Sequence, residues 1–330
     1  MPTLIAPLVW VKFDTKETLL VEKGVGIMRI SIGLDTDGSL DKILQRAHSL
    51  RDMGFTAMWS SQIYGPDTLT VLAIVGREIT DVDLGTAVVP IQPRHPAMLA
   101  AQARTVQDAI GGHLSLGIGL SHKVMVEGNW GLPFERPFTH MKEYVDALAP
   151  MLRGEKVDSR GELVTTVMPI TIGPREVRTP SLLIAALGTR MLELAGSKTD
   201  GTLLWLTGQK TIASHIAPTI TAAAQAAGRA NPRIVCALPV CVTNDESGAR
   251  ERINETYAMY ATLPSYAAML EREGADGPAG ASLVGSSAQV LEQIHELEVA
   301  GVTEFSGAPS GNAEERDAAL HLLVELNATK

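Results

Sequence analysis

The sequence predicts an α/β fold, a (β/α)8 TIM barrel with inserted segments. From Met28 onward, short apolar runs alternate with amphipathic helical patterns, and eight such runs occur in the 330-residue chain. The runs are almost continuously apolar, as expected for strands that helices cover on the outside. Proline stands just inside the start, and glycine just past the end, of predicted helices. Eight βα units in a chain of this length favour a barrel over an open sheet.

The first four strand–helix units occupy residues 28–154. Their strands are MRISIGL, TAMWS, VDLGTAVV and HLSLGIGL. The first helix has an apolar face and is closed by Gly54, the second covers 67–77, and the third begins at Pro96 and ends at a Gly-Gly pair. After a loop, the fourth helix carries apolar residues at helical spacing and ends at Gly154.

The second half of the chain contains two interruptions. Residues 155–180 alternate like a short hairpin and end in prolines, so we interpret them as an inserted segment. The alternation resumes with SLLIAAL, GTLLWL and RIVCALPVCV, each followed by a helical segment. Residues 262–285, rich in Gly, Pro and Ala, form a second inserted segment. A helix over 286–300, the strand VTEFSG and a last helix complete the barrel.

The residues before Met28 stand outside this pattern. They lack the basic start and the small-residue cleavage site of a signal peptide. We interpret residues 1–27 as an N-terminal extension that is ordered only in part, and residues 28–330 as a single barrel domain. The alternative is that the extension adds a real strand.

The composition argues against several classes of function. With a formal net charge of −9, the chain lacks the overall basic charge of a nucleic-acid-binding protein, and the same charge disfavours adhesion to an anionic membrane. The longest apolar run is far shorter than the roughly 20 residues that a membrane span needs. Cys236 and Cys241 lie in one strand-like run and point to opposite faces, so they cannot easily pair. This use of cysteine fits a reducing, cytoplasmic setting.

The ends of the predicted strands, where a barrel enzyme has its active site, carry small and apolar residues. They contain no HExxH, no GxSxG, no clustered carboxylates and no His or Cys set with metal-ligand spacing, so no metal site is predicted. Such a mouth indicates that an organic cofactor supplies the reactivity. A dinucleotide-binding fold is disfavoured, because GIGLS at 117–121 lacks the third glycine and no helix starts there.

The segment AALGTRMLELAG passes directly from a strand through Gly188 to a helix with Arg190 in its first turn. Free N–H groups and the positive end of the helix dipole point at such a junction, where an anion binds favourably. A plain tight turn with a solvent-facing arginine is the alternative.

Two longer stretches resemble a known family. GTAVVPIQPRHPAMLAAQARTVQDAIGGHLSLGIGLSH resembles the signature region of the bacterial luciferase-like flavin and deazaflavin oxidoreductases. AALGTRMLELAG followed by DGTLLWLTG is similar to the deazaflavin-dependent branch of that superfamily. The resemblance covers residues 28–327. It implies a luciferase-like TIM barrel, coenzyme F-420 as cofactor, hydride transfer to or from a small-molecule substrate, and a homo-oligomer.

The resemblance also implies a cofactor site. In this family the peptide bond at the end of the third strand is commonly a non-prolyl cis bond that forms a bulge behind the ring system, and Ala87–Val88 matches it. The Gly-x-Arg helix start of relatives holds the cofactor phosphate, which favours phosphate binding over a plain turn at Gly188. The cofactor-binding residues that the resemblance implies are Ser60, Ser61, Ala87, Val88, Gly119, Ala186, Gly188, Thr189 and Arg190.

The predicted catalytic residues are His122, Glu127 and Gln62. His122 and Glu127 follow the fourth strand, and form either a solvated pair or a proton donor to the substrate. Several deazaflavin enzymes have an Asp-His pair after the second strand, where this chain has Ser-Ser-Gln. Gln62 can hydrogen-bond but is no useful acid or base, so substrate reduction fits better than alcohol oxidation. His95 is better explained as part of a structural corner with Arg94.

These observations predict an F-420-dependent oxidoreductase. Trp59, Trp130 and Trp205 lie near the predicted mouth and suggest a flat or apolar substrate. One alternative is an FMN-dependent monooxygenase of the same superfamily, because a flavin has the ring nitrogen for oxygen activation that a deazaflavin lacks. The other is a non-catalytic cofactor-binding protein on this fold.

Overall fold

The computed structural model describes residues 28–62 and 64–329. The predicted extension, residues 1–27, lies outside the described residues, and its separation from one barrel domain stays a prediction. In chain order the strands are β1 (Arg29–Gly33), β2 (Ala57–Ser60), β3 (Asp83–Thr86), β4 (Val89–Pro90), β5 (Leu114–Gly119), β6 (Val157–Arg160), β7 (Thr165–Met168), β8 (Ser181–Ala185), β9 (Gly201–Trp205), β10 (Arg233–Val242), β11 (Leu283–Gly285) and β12 (Glu304–Pro309). The α-helices are α1 (Leu40–Asp52), α2 (Thr68–Glu78), α3 (Pro96–Ala109), α4 (Lys123–Gly128), α5 (Pro137–Leu152), α6 (Thr189–Lys198), α7 (Gln209–Thr211), α8 (Ala217–Ala226), α9 (Glu246–Thr256), α10 (Ala258–Ala261), α11 (Pro264–Glu273), α12 (Ser287–Val299) and α13 (Ala313–Ala328).

Eight parallel strands close into a barrel in the order β1-β2-β3-β5-β8-β9-β10-β12, and β12 pairs back with β1. Each of the eight predicted runs supplies one of these strands, so the predicted (β/α)8 fold is confirmed. The runs are continuously apolar because both faces are packed. Leu183, Leu203 and Val235 form a cluster with Trp59 on the interior face, while Leu182 and Ile184 pack in the outer core with the helices.

Trp59 and two charged residues form a polar network in the lower part of the barrel. The indole Nε1 of Trp59 donates to Glu304 Oε1 at 2.6 Å, and Arg233 pairs with Glu304 Oε2 at 3.0 Å. Arg233 also donates to Ser115 Oγ at 2.9 Å. Because the buried Glu304 carboxylate has both an ion pair and a hydrogen bond, its charge is compensated. The sequence did not predict this network.

Both inserted segments contain regular structure. Strands β6 and β7 form the predicted antiparallel hairpin. The second segment contains α11, a 3₁₀ turn and the unpredicted strand β11, which pairs with Val240 to Val242 at the end of β10. This pairing is possible because β10 has 10 residues and continues past its contacts with β9 and β12.

Two predictions about the cysteines and the helices can be compared with the structure. Cys236 and Cys241 are unpaired, as predicted, and both are buried. Within residues 28–62 and 64–329, no helix combines the length and the apolar character that a bilayer crossing requires.

Candidate active site

The loop between β3 and β4 contains a cis peptide bond between Ala87 and Val88, at the predicted position. The end of β2 holds this loop through three hydrogen bonds. The Ser60 carbonyl accepts from Ala87 N at 2.8 Å, Ser61 Oγ donates to the Ala87 carbonyl at 2.6 Å, and Gln62 N donates to the Val88 carbonyl at 3.1 Å. The structure therefore brings five of the predicted site residues together at the carboxyl ends of β2 and β3.

Gly119, at the end of β5, lies against this loop. A Cβ atom on Gly119 would be 2.6 Å from Val88 Cγ2 and 3.6 Å from the Cβ of Ala185. Only glycine therefore leaves room for the Val88 side chain. Alternation places Gly33 on the interior side of β1, and a Cβ atom there would have no heavy atom within 4 Å. Gly33 thus leaves open space at the carboxyl-terminal mouth of the barrel, whereas Val88 fills the space beside Gly119.

The side chains of Ser60 and Gln62 contact the protein around the site in ways that indicate structural roles. Gln62 Oε1 accepts from Thr68 N at 2.8 Å and so occupies an amide of the first turn of α2. Ser60 is 1% exposed, and strand alternation directs it away from the interior, where Trp59 lies. The catalytic role of Gln62 and the cofactor contact of Ser60 stay predictions.

Helix α6 begins at the predicted anion site. Gly188 precedes it with φ −82° and ψ 152°, a conformation open to any residue, and a Cβ there would meet no heavy atom within 4 Å. Among the described residues, no acceptor bonds the backbone N–H of Thr189 or Arg190. The Arg190 guanidinium lies 3.9 Å from the centroid of the Phe138 ring, and no described carboxylate pairs with it. An anion can therefore approach this junction freely.

The residues just before Gly188 are fixed from behind. His215, in a π-helical turn over Ile212–Ile216, donates from Nε2 to the Leu187 carbonyl at 2.8 Å. The Ala186 side chain packs in the outer core, so only its backbone could reach a ligand at the mouth. Ala185 lies beside Gly119 instead. The cofactor contact assigned to Ala186 stays a prediction, and the sequence did not single out His215 or Ala185.

His122 and Glu127 do not form a pair in the structure. His122 is half-buried, its ring centroid is 5.8 Å from that of Tyr266, and burial lowers the pKa of its imidazole. Glu127 is exposed on α4, where its Oε2 lies 3.8 Å from Lys123 Nζ. His122 is therefore the better placed of the two to meet a substrate, although both catalytic roles stay predictions.

His95 forms the structural corner that was expected. Its Nδ1 accepts from Ala97 N at 3.2 Å, which caps α3, and its Nε2 donates to the Thr165 carbonyl at 3.1 Å. Arg94 pairs with Asp67 Oδ1 at 2.9 Å. These contacts tie the start of α3 to the hairpin and to α2. They leave His95 a structural role.

Comparison with known proteins identifies the family. Residues 26–304 match the family model described as luciferase-like monooxygenase. The chain belongs to this family. It is accordingly an oxidoreductase of the luciferase-like type, as the resemblance implied.

Individual relatives refine this comparison. A 5,10-methylenetetrahydromethanopterin reductase of Methanolobus tindarius is 27% identical over 257 residues, covering 76% of this chain and 77% of the relative. A putative coenzyme F-420-dependent oxidoreductase of Mycobacterium tuberculosis is 31% identical over 169 residues, covering 47% of each chain. The structure of a coenzyme F-420-dependent tetrahydromethanopterin reductase of Methanopyrus kandleri superposes with a TM-score of 0.77 at 23% identity, covering 92% of this chain and 99% of that one.

Proposed function

We propose that this protein is an F-420-dependent oxidoreductase that transfers a hydride between its cofactor and a small organic substrate. The observation that carries this proposal is the start of α6, where no described acceptor bonds the amides of Thr189 and Arg190 and where a Cβ on Gly188 would meet no heavy atom within 4 Å. Two of the relatives described above are named as coenzyme F-420-dependent, which supports the choice of cofactor.

The residues at the mouth fit a flat ring with a phosphate-bearing side chain. The loop of Ala87 and Val88 would support one ring face, and Gly119 gives the Val88 side chain of that loop the room it needs. The N–H groups of Thr189 and Arg190 would hold the phosphate, since a helix N-terminus favours negative charge. The Arg190 guanidinium would add a charge-assisted hydrogen bond.

When bound, F-420 supplies or accepts two electrons as a hydride. The protein must then move a proton, and His122 is suited to this step. Because its pKa is lowered by burial, its imidazole is neutral near neutral pH, with one N–H and one free ring nitrogen. It can release a proton from one nitrogen and regain one from water at the other. Gln62 can orient a substrate or ring oxygen through its Nε2 amide, because its Oε1 is bonded to Thr68.

Equilibrium titrations with F-420 and with FMN, followed by turnover assays with the cofactor that binds, test this proposal. We expect F-420 to bind more tightly and to exchange a hydride with substrate. Tight FMN binding with oxygen consumption would instead support the monooxygenase alternative. Binding without turnover across a broad substrate panel would support the non-catalytic alternative.

We also propose that the enzyme is cytoplasmic and homo-oligomeric. The two buried, unpaired cysteines support a reducing compartment. The family resemblance supports self-association, and light scattering of the purified chain measures it directly.

A further inference from the structure

Four aromatic side chains and one histidine form a continuous line of ring contacts, which we call the aromatic wall. Its members are Trp205, Tyr257, Tyr260, Tyr266 and His122. Ring centroids are 5.4 Å apart for Trp205 and Tyr257, 6.2 Å for Trp205 and Tyr260, and 5.1 Å for Tyr260 and Tyr266. The Tyr266 ring then meets His122 at 5.8 Å. The contacts are tilted or edge-on, the geometry that aromatic pairs prefer.

The two ends of the wall lie at the mouth of the barrel. Trp205 is the last residue of β9, and strand alternation places it on the interior side with Leu203. His122 follows the end of β5. The tyrosines come from the segment of α9 to α11 that follows β10, and they join these two strand ends. Strand β8, which ends at Ala185, lies between β5 and β9, so the wall adjoins the proposed cofactor site.

The aromatic wall carries no formal charge. All five side chains are half-buried, so part of their surface stays accessible, and no ion pair among the described residues includes them. Burial raises the pKa of Tyr260 and of Tyr266 and lowers the pKa of His122, so their neutral forms prevail near neutral pH. Aromatic residues make up only 4% of the chain, and three of its five tyrosines are in this cluster.

We propose that the aromatic wall is the substrate subsite and that it selects an uncharged, planar, conjugated molecule. The proposal rests on the function proposed above, because it places the substrate beside the cofactor. Ring edges and faces recognise a flat π-system by stacking, and the absence of a charged partner disfavours an ionised substrate. The hydroxyl and imidazole groups of the wall can bond one polar group of the ligand.

Three bicyclic probes of similar size test this selection on the full chain by calorimetric titration. They are 2-acetylnaphthalene, which is planar and uncharged, 2-naphthoate, which is planar and anionic, and 2-acetyldecalin, which is uncharged but not planar. We expect 2-acetylnaphthalene to bind about tenfold or more tightly than either analogue, since one or two stacked rings contribute roughly that factor. Dissociation constants within twofold of one another for all three probes would overturn the proposal.

Two variants locate the binding. Tyr260→Leu and Tyr266→Leu retain apolar bulk but remove a ring. Each variant should therefore weaken the binding of 2-acetylnaphthalene roughly 2- to 10-fold and leave the dissociation constant of 2-acetyldecalin unchanged. Tyr64→Leu is the matched control, because Tyr64 is 73% exposed and bonds Met125 outside the wall. Equal weakening by the control would overturn the proposal. The comparison of probes on the unmodified chain remains decisive should a variant fail to fold.

Titration of F-420 into the same proteins separates the two proposals. Retained F-420 binding without a preference for the planar probe refutes only the substrate subsite. Absence of F-420 binding in the unmodified chain refutes the proposed function, whatever the probes show.

Discussion

Removal of the Arg190 side chain is the sharpest test of the cofactor site. In Arg190→Ala, one charge-assisted hydrogen bond to the phosphate is lost, which is worth roughly 1.5–3 kcal/mol, or about 10- to 150-fold in dissociation constant. The protein itself should change little, because Arg190 has no carboxylate partner among the described residues. Its contact with the Phe138 ring, at 3.9 Å, is worth about 0.5–1 kcal/mol at an exposed position.

Gly188→Val tests the backbone part of the same site. A branched side chain fits at this position without strain, because Gly188 has φ −82° and free space around the position of a Cβ. The variant should therefore fold normally and weaken binding only by keeping the phosphate away from the amides of Thr189 and Arg190.

The assay is a fluorescence titration with F-420 and with a phosphate-free 5-deazariboflavin, beside a thermal melt of each protein. Both variants should weaken the binding of F-420, while the dissociation constant of the phosphate-free ligand should stay within twofold of that of the unmodified chain. Phe138→Leu is the control, since it removes the ring and keeps the Arg190 charge. If both folded variants bind F-420 within twofold of the unmodified chain, the start of α6 is a plain turn and the reasoning fails.

Four further predictions follow from other parts of the structure. Leu183→Asp places an unpaired carboxylate at a fully buried position, at a cost of several kcal/mol, and a soluble variant with a normal melting transition would contradict the strand assignment. His215→Ala removes the hydrogen bond to the Leu187 carbonyl and should weaken the binding of F-420 but not that of 5-deazariboflavin in the same titration. Equal losses of affinity for both ligands would indicate a general structural role. A chain that begins at Met28 should melt and bind F-420 as the full chain does, and a loss of several degrees would show that residues 1–27 stabilise the barrel. Because burial lowers the pKa of His122 from 6.5, the folded state binds a proton less readily than the unfolded state, so the free energy of unfolding falls as the pH drops below 6.5. In urea unfolding, His122→Gln should therefore lose less of its free energy of unfolding between pH 7 and pH 5 than the unmodified chain. An identical loss in both proteins would contradict this expectation.

The sequence predicted the barrel because strands and helices leave local, periodic signals. Each of the eight runs is apolar on both faces, and residues such as Pro96 and Gly154 mark the boundaries of helices. The junction at Gly188 was also visible, since strand, glycine and helix are adjacent in the chain. Even the position of the cis bond followed from a local motif in the resemblance.

Contacts between distant residues could not be predicted in this way. Trp59 and Glu304 are bonded across the barrel although 245 positions separate them, and neither residue carries a local sign of its partner. The aromatic wall likewise joins residues that follow different strands. One signal for the wall was available in the sequence, because residues 257–266 contain three of the five tyrosines of the chain.

The proposed site depends mainly on side chains that are small or absent, and this explains why a search for catalytic motifs finds so little in the chain. Gly119 leaves room for the Val88 side chain, and the neighbouring Ala185 has only a methyl group. Gly188 leaves the first amides of α6 uncovered. This openness is inexpensive, because glycine in place of a capping serine or aspartate weakens a helix by only a few tenths of a kcal/mol. A site of this kind stabilises the fold little and binds a ligand that brings its own charge and reactivity. For that reason the binding of cofactor, rather than the loss of any one acid or base, is the property that best tests the assignment.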